Sequence, residues 1–140
     1  MKEDQPEGRR SSCPISIALE LLGDTWSLLI VRDMMFNGFR TFNQFLRAGE
    51  GIATNILADR LARLERGGVL TKHRDPEDAR RTSYRLTDKG LKLAPVLIEL
   101  VLWSARYEET DAPPETLQAM RYHRDDYLAQ IRRRWSESVD

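Results

Sequence analysis

Glycine breaks and one charged turn cut residues 39–90 into four short pieces, and the order of those pieces constrains the fold more than any single residue. Thr41-Phe42-Asn43-Gln44-Phe45-Leu46 reads as the opening of a short helix, which Ala48-Gly49-Glu50-Gly51 breaks. A longer helix is expected from Ile52 to Arg66, stopped by Gly67-Gly68. Two short runs, Val69 to Arg74 and Thr82 to Leu86, flank the charged segment from Asp75 to Arg81 and read as a hairpin. A helix that can enter a major groove, beside a basic hairpin that can reach a neighbouring groove, is the order of a winged helix-turn-helix. The expected fold class is therefore mainly α with a small β-hairpin.

Capping and periodicity extend the reading along the chain. Pro14 to Leu22 is expected to be helical, since proline in the first turn needs no amide partner. Asp24 is expected to cap a second helix, Thr25 to Phe36, which is apolar nearly all round and so belongs in the centre of a domain. Thr41 and Gln44 have capping-box spacing. At 100° per residue, Ala53, Leu57, Leu61 and Leu64 share one stripe of the following helix, opposite Asn55, Asp59, Ala62 and Arg66. Thr87 should cap a long helix that Pro95 kinks or restarts, and Glu115 to Trp135 reads as one last amphipathic helix. Residues 1–12 are expected to be a flexible arm, 13–110 the winged domain and 111–140 a helical extension.

Charge distribution agrees with a polyanion partner although the net charge of the chain is zero. Residues 39–85 hold ten Lys/Arg against six Asp/Glu, a net of +4, while the segments on either side are each at −2. Local field rather than total charge governs attraction to phosphate. The other reading of the same numbers is a solvated surface with chance clustering. The chain has no apolar run approaching the roughly 20 residues that span a bilayer, so no membrane partner is expected. One cysteine cannot form an internal disulfide, which fits a reducing cytoplasm.

Enzyme chemistry finds little support. The two histidines, His73 and His123, belong to no cluster at metal-ligand spacing, and no glycine-rich phosphate loop or Ser–His–acid set stands out. No catalytic residue, metal or cofactor is expected. At the wing, Asp75-Pro76-Glu77-Asp78 turns the chain and Arg80-Arg81 follow as forked donors for phosphate, with an intraloop ion pair as the rival use of Arg80. Cys13 falls at a helix N-cap near Arg9 and Arg10, a setting that favours thiolate and hence oxidation; a small residue packed against the first helix is the alternative.

These residues resemble the HxlR-type family of bacterial transcription regulators, a branch of the winged-helix regulators near the MarR type. The resemblance runs over roughly residues 13–107. It rests on Cys13-Pro14, then Leu22-Gly23-Asp24-Thr25-Trp26, then Phe39-Arg40-Thr41-Phe42-Asn43 and Leu57-Ala58-Asp59-Arg60-Leu61. Gly68-Val69-Leu70, Arg81-Thr82-Ser83-Tyr84-Arg85-Leu86-Thr87 and Trp103 complete it. It implies a homodimer built by the terminal helices, double-stranded operator DNA as ligand, and in several members a cysteine matching Cys13 that senses oxidants, quinones or aldehydes. Ala53 stands where many members have serine, which removes a side-chain cap.

The resulting expectation is a homodimer on an inverted-repeat operator. Thr54, Asn55 and Arg63 would lie near base edges; Arg40, Thr41, Asn43, Arg60, Arg80 and Arg81 would lie on or near phosphates. Cys13 is the candidate redox sensor. Two alternatives remain at this point. One is a winged-helix module that binds protein. The other is a regulator that answers to a small apolar ligand between the body and the last helix, near Trp103, Tyr107, Tyr127 and Trp135.

Overall fold

Ser27–Phe36, the segment with apolar residues nearly all round, is the helix against which the others pack. The computed structural model describes residues 8–137, and the elements run α1 (Pro14–Leu22), α2 (Ser27–Phe36), α3 (Phe42–Leu46), α4 (Thr54–Arg66), β1 (Leu70–Arg74), β2 (Thr82–Leu86), α5 (Asp88–Leu91), α6 (Ala94–Tyr107), α7 (Pro114–Tyr122) and α8 (Arg124–Glu137). Ile30, Val31, Met34 and Met35 of α2 are buried with Phe45 of α3, the Leu57–Leu61–Leu64 stripe of α4, Leu70, Tyr84 and Leu86 of the hairpin, and Leu91 and Leu97 behind it. Among the described residues no single helix is long and apolar enough to cross a membrane. Of the arm expected over residues 1–12, residues 1–7 lie outside the described residues; Arg10 N–H donates to Glu20 Oε1 at 2.8 Å.

The strands are antiparallel, with Leu70 opposite Leu86, Lys72 opposite Tyr84 and Arg74 opposite Thr82. Leu86 and Tyr84 turn inward, and Tyr84 meets Phe45 edge to face at 6.2 Å between ring centroids. The turn between α3 and α4 needs glycine: Gly49 (φ 91°) and Gly51 (φ 75°) occupy left-handed conformations that a Cβ disfavours. Gly90 is constrained differently, because a Cβ there would lie 2.2 Å from the Val69 carbonyl oxygen.

Several boundaries move. Helix α2 begins at Ser27 rather than Thr25; Asp24 still accepts the first amides, from Trp26 at 2.7 Å and Ser27 at 2.9 Å, but from two residues before the N-cap Trp26. Helix α4 begins at Thr54 rather than Ile52, with Ala53 as an N-cap that offers no side-chain hydrogen bond. Ala53 is accordingly exposed and is not part of the packed stripe. Pro95 does restart the helix: Thr87 Oγ1 accepts from Gly90 N–H at 3.1 Å to cap α5, and α6 begins afresh at Ala94.

The last helix is two. A straight helix over 115–135 would run about 30 Å. The chain instead breaks at His123 (φ −134°, ψ 42°), so that Met120 of α7 and Ile131 of α8 are both buried. Ile131 joins the same core as α2, and Trp135 Nε1 donates to the Leu86 carbonyl at 3.0 Å. Ile131→Ala is expected to cost about 2–4 kcal/mol, the usual range for emptying a core site. Chemical denaturation followed by far-ultraviolet circular dichroism checks this. A change under about 0.5 kcal/mol, typical of a surface position, would mean that α8 does not share the core.

Candidate nucleic-acid interface

The helix-turn-helix is held by two sets of polar contacts. In α3, Gln44 N–H donates to Thr41 Oγ1 at 3.3 Å while Gln44 Oε1 accepts the amides of Thr41 (3.0 Å) and Arg40 (2.7 Å), a complete capping box. In the turn, Arg32 of α2 reaches Glu50 at 3.0 Å and Asp33 at 3.0 Å. Asp33 also accepts from Asn37 Nδ2 at 3.0 Å. The loop that enters α4 is thereby tied to the central helix. With Leu57, Leu61 and Leu64 buried, Asn55 on the opposite side and Thr54 on the flank stand exposed on the first turn of α4.

The wing presents a cluster of cations. Asp75 N–H donates to the Arg81 carbonyl and Arg81 N–H to the Asp78 carbonyl, both at 2.9 Å, which closes the tip. Arg80 Nε lies 3.3 Å from Asp78 Oδ1, so the intraloop pair exists, yet the Arg80 side chain is 93% exposed. An ion pair at that exposure is worth little and yields readily to phosphate. Arg81 is exposed and has no side-chain partner among the described residues. Thr41 and Asn43 on one wall, and Lys72, Arg74, Arg80 and Arg81 on the other, line one open cleft between α3 and the hairpin.

Lys72 and Arg74 escaped the sequence reading, which concentrated on the wing tip. Their signal was the alternation of β1: both stand opposite inward-facing positions of β2 but extend beyond the core, and both are exposed. Arg85 also lines this cleft.

Arg60 and Arg63 are turned elsewhere. Arg60 Nε is 3.2 Å from Asp24 Oδ1, an ion pair without hydrogen-bond alignment, and its guanidinium also meets Asp59. Arg63 donates to the Glu20 carbonyl at 2.8 Å and lies 3.8 Å from Asp24 Oδ2. The expected positions near a base edge and a phosphate therefore give way to contacts with the α1–α2 corner, because a half-buried carboxylate lies within reach of both side chains. Asp24 is the hub of this corner. Burial pushes its pKa up, but hydrogen bonds from the Ser27 hydroxyl and the Trp26 and Ser27 amides, together with the Arg60 charge, outweigh that and leave it below the ordinary carboxylate value.

A helix-turn-helix with a cation-lined wing cleft is the architecture of the winged DNA-binding regulators. The profile described as HxlR-like helix-turn-helix matches residues 21–112, and the chain belongs to this family of DNA-binding transcription regulators. The chain is 39% identical over 88 residues to the HTH-type transcriptional regulator sll1512 of Synechocystis, a match that covers 63% of this chain and 64% of that protein. Among solved structures, PA1607, described as a candidate transcription factor, superposes with a TM-score of 0.66 at 38% identity, covering 75% of this chain and 72% of that one. YodB of Bacillus subtilis in its quinone-bound form superposes with a TM-score of 0.56 at 30% identity, covering 68% of this chain and 99% of that one.

Because the Asp24 pKa is lowered on folding, its stabilisation is present above the unfolded value near 3.9 and is lost as pH falls through the folded value. Asp24→Asn is expected to destabilise by about 1–3 kcal/mol at pH 7, the cost of hydrogen bonds to a charged acceptor. The deficit should shrink below pH ~4, where the wild-type carboxyl is itself neutral. Urea midpoints measured at both pH values test this; an equal deficit at both would remove the electrostatic account.

Proposed function

We propose that the protein is a sequence-specific DNA-binding regulator that acts as a homodimer on an inverted-repeat operator. The observation that carries this reading is the wing cleft, where Lys72, Arg74, Arg80 and Arg81 face Thr41 and Asn43 across an open gap. Arg40, Thr41, Asn43, Arg80 and Arg81, with Lys72 and Arg74 added, are assigned to phosphates. Thr54 and Asn55, exposed on the first turn of α4, are assigned to base edges; asparagine can pair two-pronged with adenine. Arg60 and Arg63 are assigned an indirect role, holding α4 at its angle through Asp24. A protein-binding module would be expected to expose apolar side chains on this helix, whereas its outward positions include Asn55, Asp59 and Arg66.

Dimerisation is supported by α6. Val96, Leu100, Trp103 and Tyr107 are all exposed, and their 4-3-4 spacing lays them along one seam, as in helices that pack against a partner. Ile15 and Leu19 form a second exposed apolar row on α1. Trp103 and Tyr107 therefore belong to a surface rather than to a ligand pocket. Two copies related by a twofold axis would present their α4 helices to successive major-groove faces, about 34 Å apart.

Duplexes selected from a random pool should accordingly contain an inverted repeat with that half-site spacing. Arg81→Ala should weaken binding to all sequences alike and reduce the slope of log affinity against log salt by about 1. Unchanged affinity and slope would remove Arg81 from the interface.

The finer proposal is that Cys13 tunes DNA binding. The thiol is exposed at the N-cap of α1, beside the apolar row assigned to the dimer. A relative, YodB, has been solved quinone-bound and diamide-treated, which supports thiol chemistry as the signal. With one cysteine, a disulfide must join two subunits or capture a small thiol. Diamide should change the DNA affinity of the wild type in a gel shift and leave Cys13→Ser unaffected; an undiminished response in Cys13→Ser removes the idea.

A further inference from the structure

Helix α8 closes one side of a cavity of about 270 Å³ between α2, the α2–α3 loop and β2. Its walls combine apolar and cationic residues. Met34, Phe39, Tyr84 and Trp135 supply sulfur and aromatic surface, and Arg40, Arg85 and Arg134 line the same space. No Asp or Glu among the described residues lines it. Neither Arg40 nor Arg134 is ion-paired to an acid among the described residues. The indole N–H of Trp135 is already satisfied by the Leu86 carbonyl at 3.0 Å, so the aromatic wall makes no polar demand on an occupant.

We infer that this cavity binds a small apolar carboxylate. The volume is just below the range that holds drug-sized ligands, which suits a single ring or a short branched chain. An apolar body would pack against Tyr84, Trp135 and Met34. The carboxylate would meet Arg134 through a forked, charge-assisted pair, with Arg40 adding to the positive field. A neutral molecule of the same shape would gain the packing and none of the charge pairing.

The site also bears on regulation. Arg40 is one of the residues assigned to phosphate, and Tyr84–Leu86 belong to the second strand of the wing. A bound carboxylate that draws the Arg40 side chain inward competes with DNA for the same cation, so the ligand should weaken operator binding. This coupling rests on the DNA-binding reading; the existence of the ligand site does not.

The test uses the full chain labelled with ¹⁵N and benzoate as the probe, with benzamide as its neutral counterpart. The indole N–H signal of Trp135, assigned by its absence in Trp135→Phe, should shift saturably with benzoate and at least tenfold more weakly in concentration with benzamide. Arg134→Gln should lose at least tenfold in benzoate affinity and keep its thermal midpoint, while Arg133→Gln, altered at the exposed neighbour, should bind as the wild type does. Benzamide equal to benzoate, no saturable shift at Trp135, or undiminished binding by Arg134→Gln would each overturn the proposal. So would Arg134→Gln losing DNA affinity and not benzoate affinity, since the cluster would then serve phosphate. Benzoate binding that persists when no duplex is bound at all would leave the cavity assignment standing and remove only the regulatory coupling.

Discussion

Burial of Leu57, Leu61 and Leu64 against α2 is the constraint on which the rest depends. Each is essentially excluded from water, and a leucine side chain so buried contributes about 1.5–3 kcal/mol. Side chains three and four apart share a face of a helix, so burying this stripe fixes the rotation of α4 about its axis. The rotation in turn decides which residues face outward. Asn55 is presented because the leucines leave no other orientation open, and Thr54 is exposed as the first residue of the helix. The Asp24 contacts to Arg60 and Arg63 add a second attachment on the flank of the same helix, so the angle of α4 to the α1–α2 corner is set as well as its rotation.

The charges divide along the same lines. Arginines near the body are absorbed by carboxylates: Arg32 by Asp33 and Glu50, Arg60 and Arg63 by Asp24. Arg74, Arg80 and Arg81 on the hairpin stand beyond the core, where Asp78 holds Arg80 only at the surface. Positive potential therefore concentrates at the cleft although the chain as a whole is neutral. A neutral net charge together with a local cationic cleft is compatible with phosphate binding because screening confines the relevant field to about 8–10 Å at ordinary salt.

Helices α7 and α8 lie largely beyond the residues matched by the family profile, which ends at 112, yet they supply part of the core of the winged domain. Ile131 fills it from outside the matched region, and Trp135 hydrogen-bonds the backbone at the end of β2. The extension thus braces the hairpin from behind and, in doing so, forms the cavity lined by Arg40 and Arg134. A family member lacking these helices would have neither the brace nor that cavity.

Local chemistry made much of this legible in the chain itself. The Thr41–Gln44 capping box, the restart at Pro95, the glycine-broken turn before α4 and the antiparallel hairpin all depend on residues within a few positions of one another, so spacing alone was enough to read them. The same holds for the leucine stripe and for the family, whose marks are ordered along the sequence. What spacing could not reach were contacts between distant positions. Asp24 lies far from Arg60 and Arg63 in the chain, so their side chains read as free cations until folding brought the carboxylate beside them. The break at His123 has no proline or glycine to announce it; Met120 before it and Ile131 after it are both buried. The sequence by itself determined most of the elements, the Thr41 and Thr87 caps and the class of protein, because those follow from short-range periodicity. Only the tertiary structure decided which arginines remain available and where α8 lies, because both depend on which distant groups end up within a few ångströms of one another.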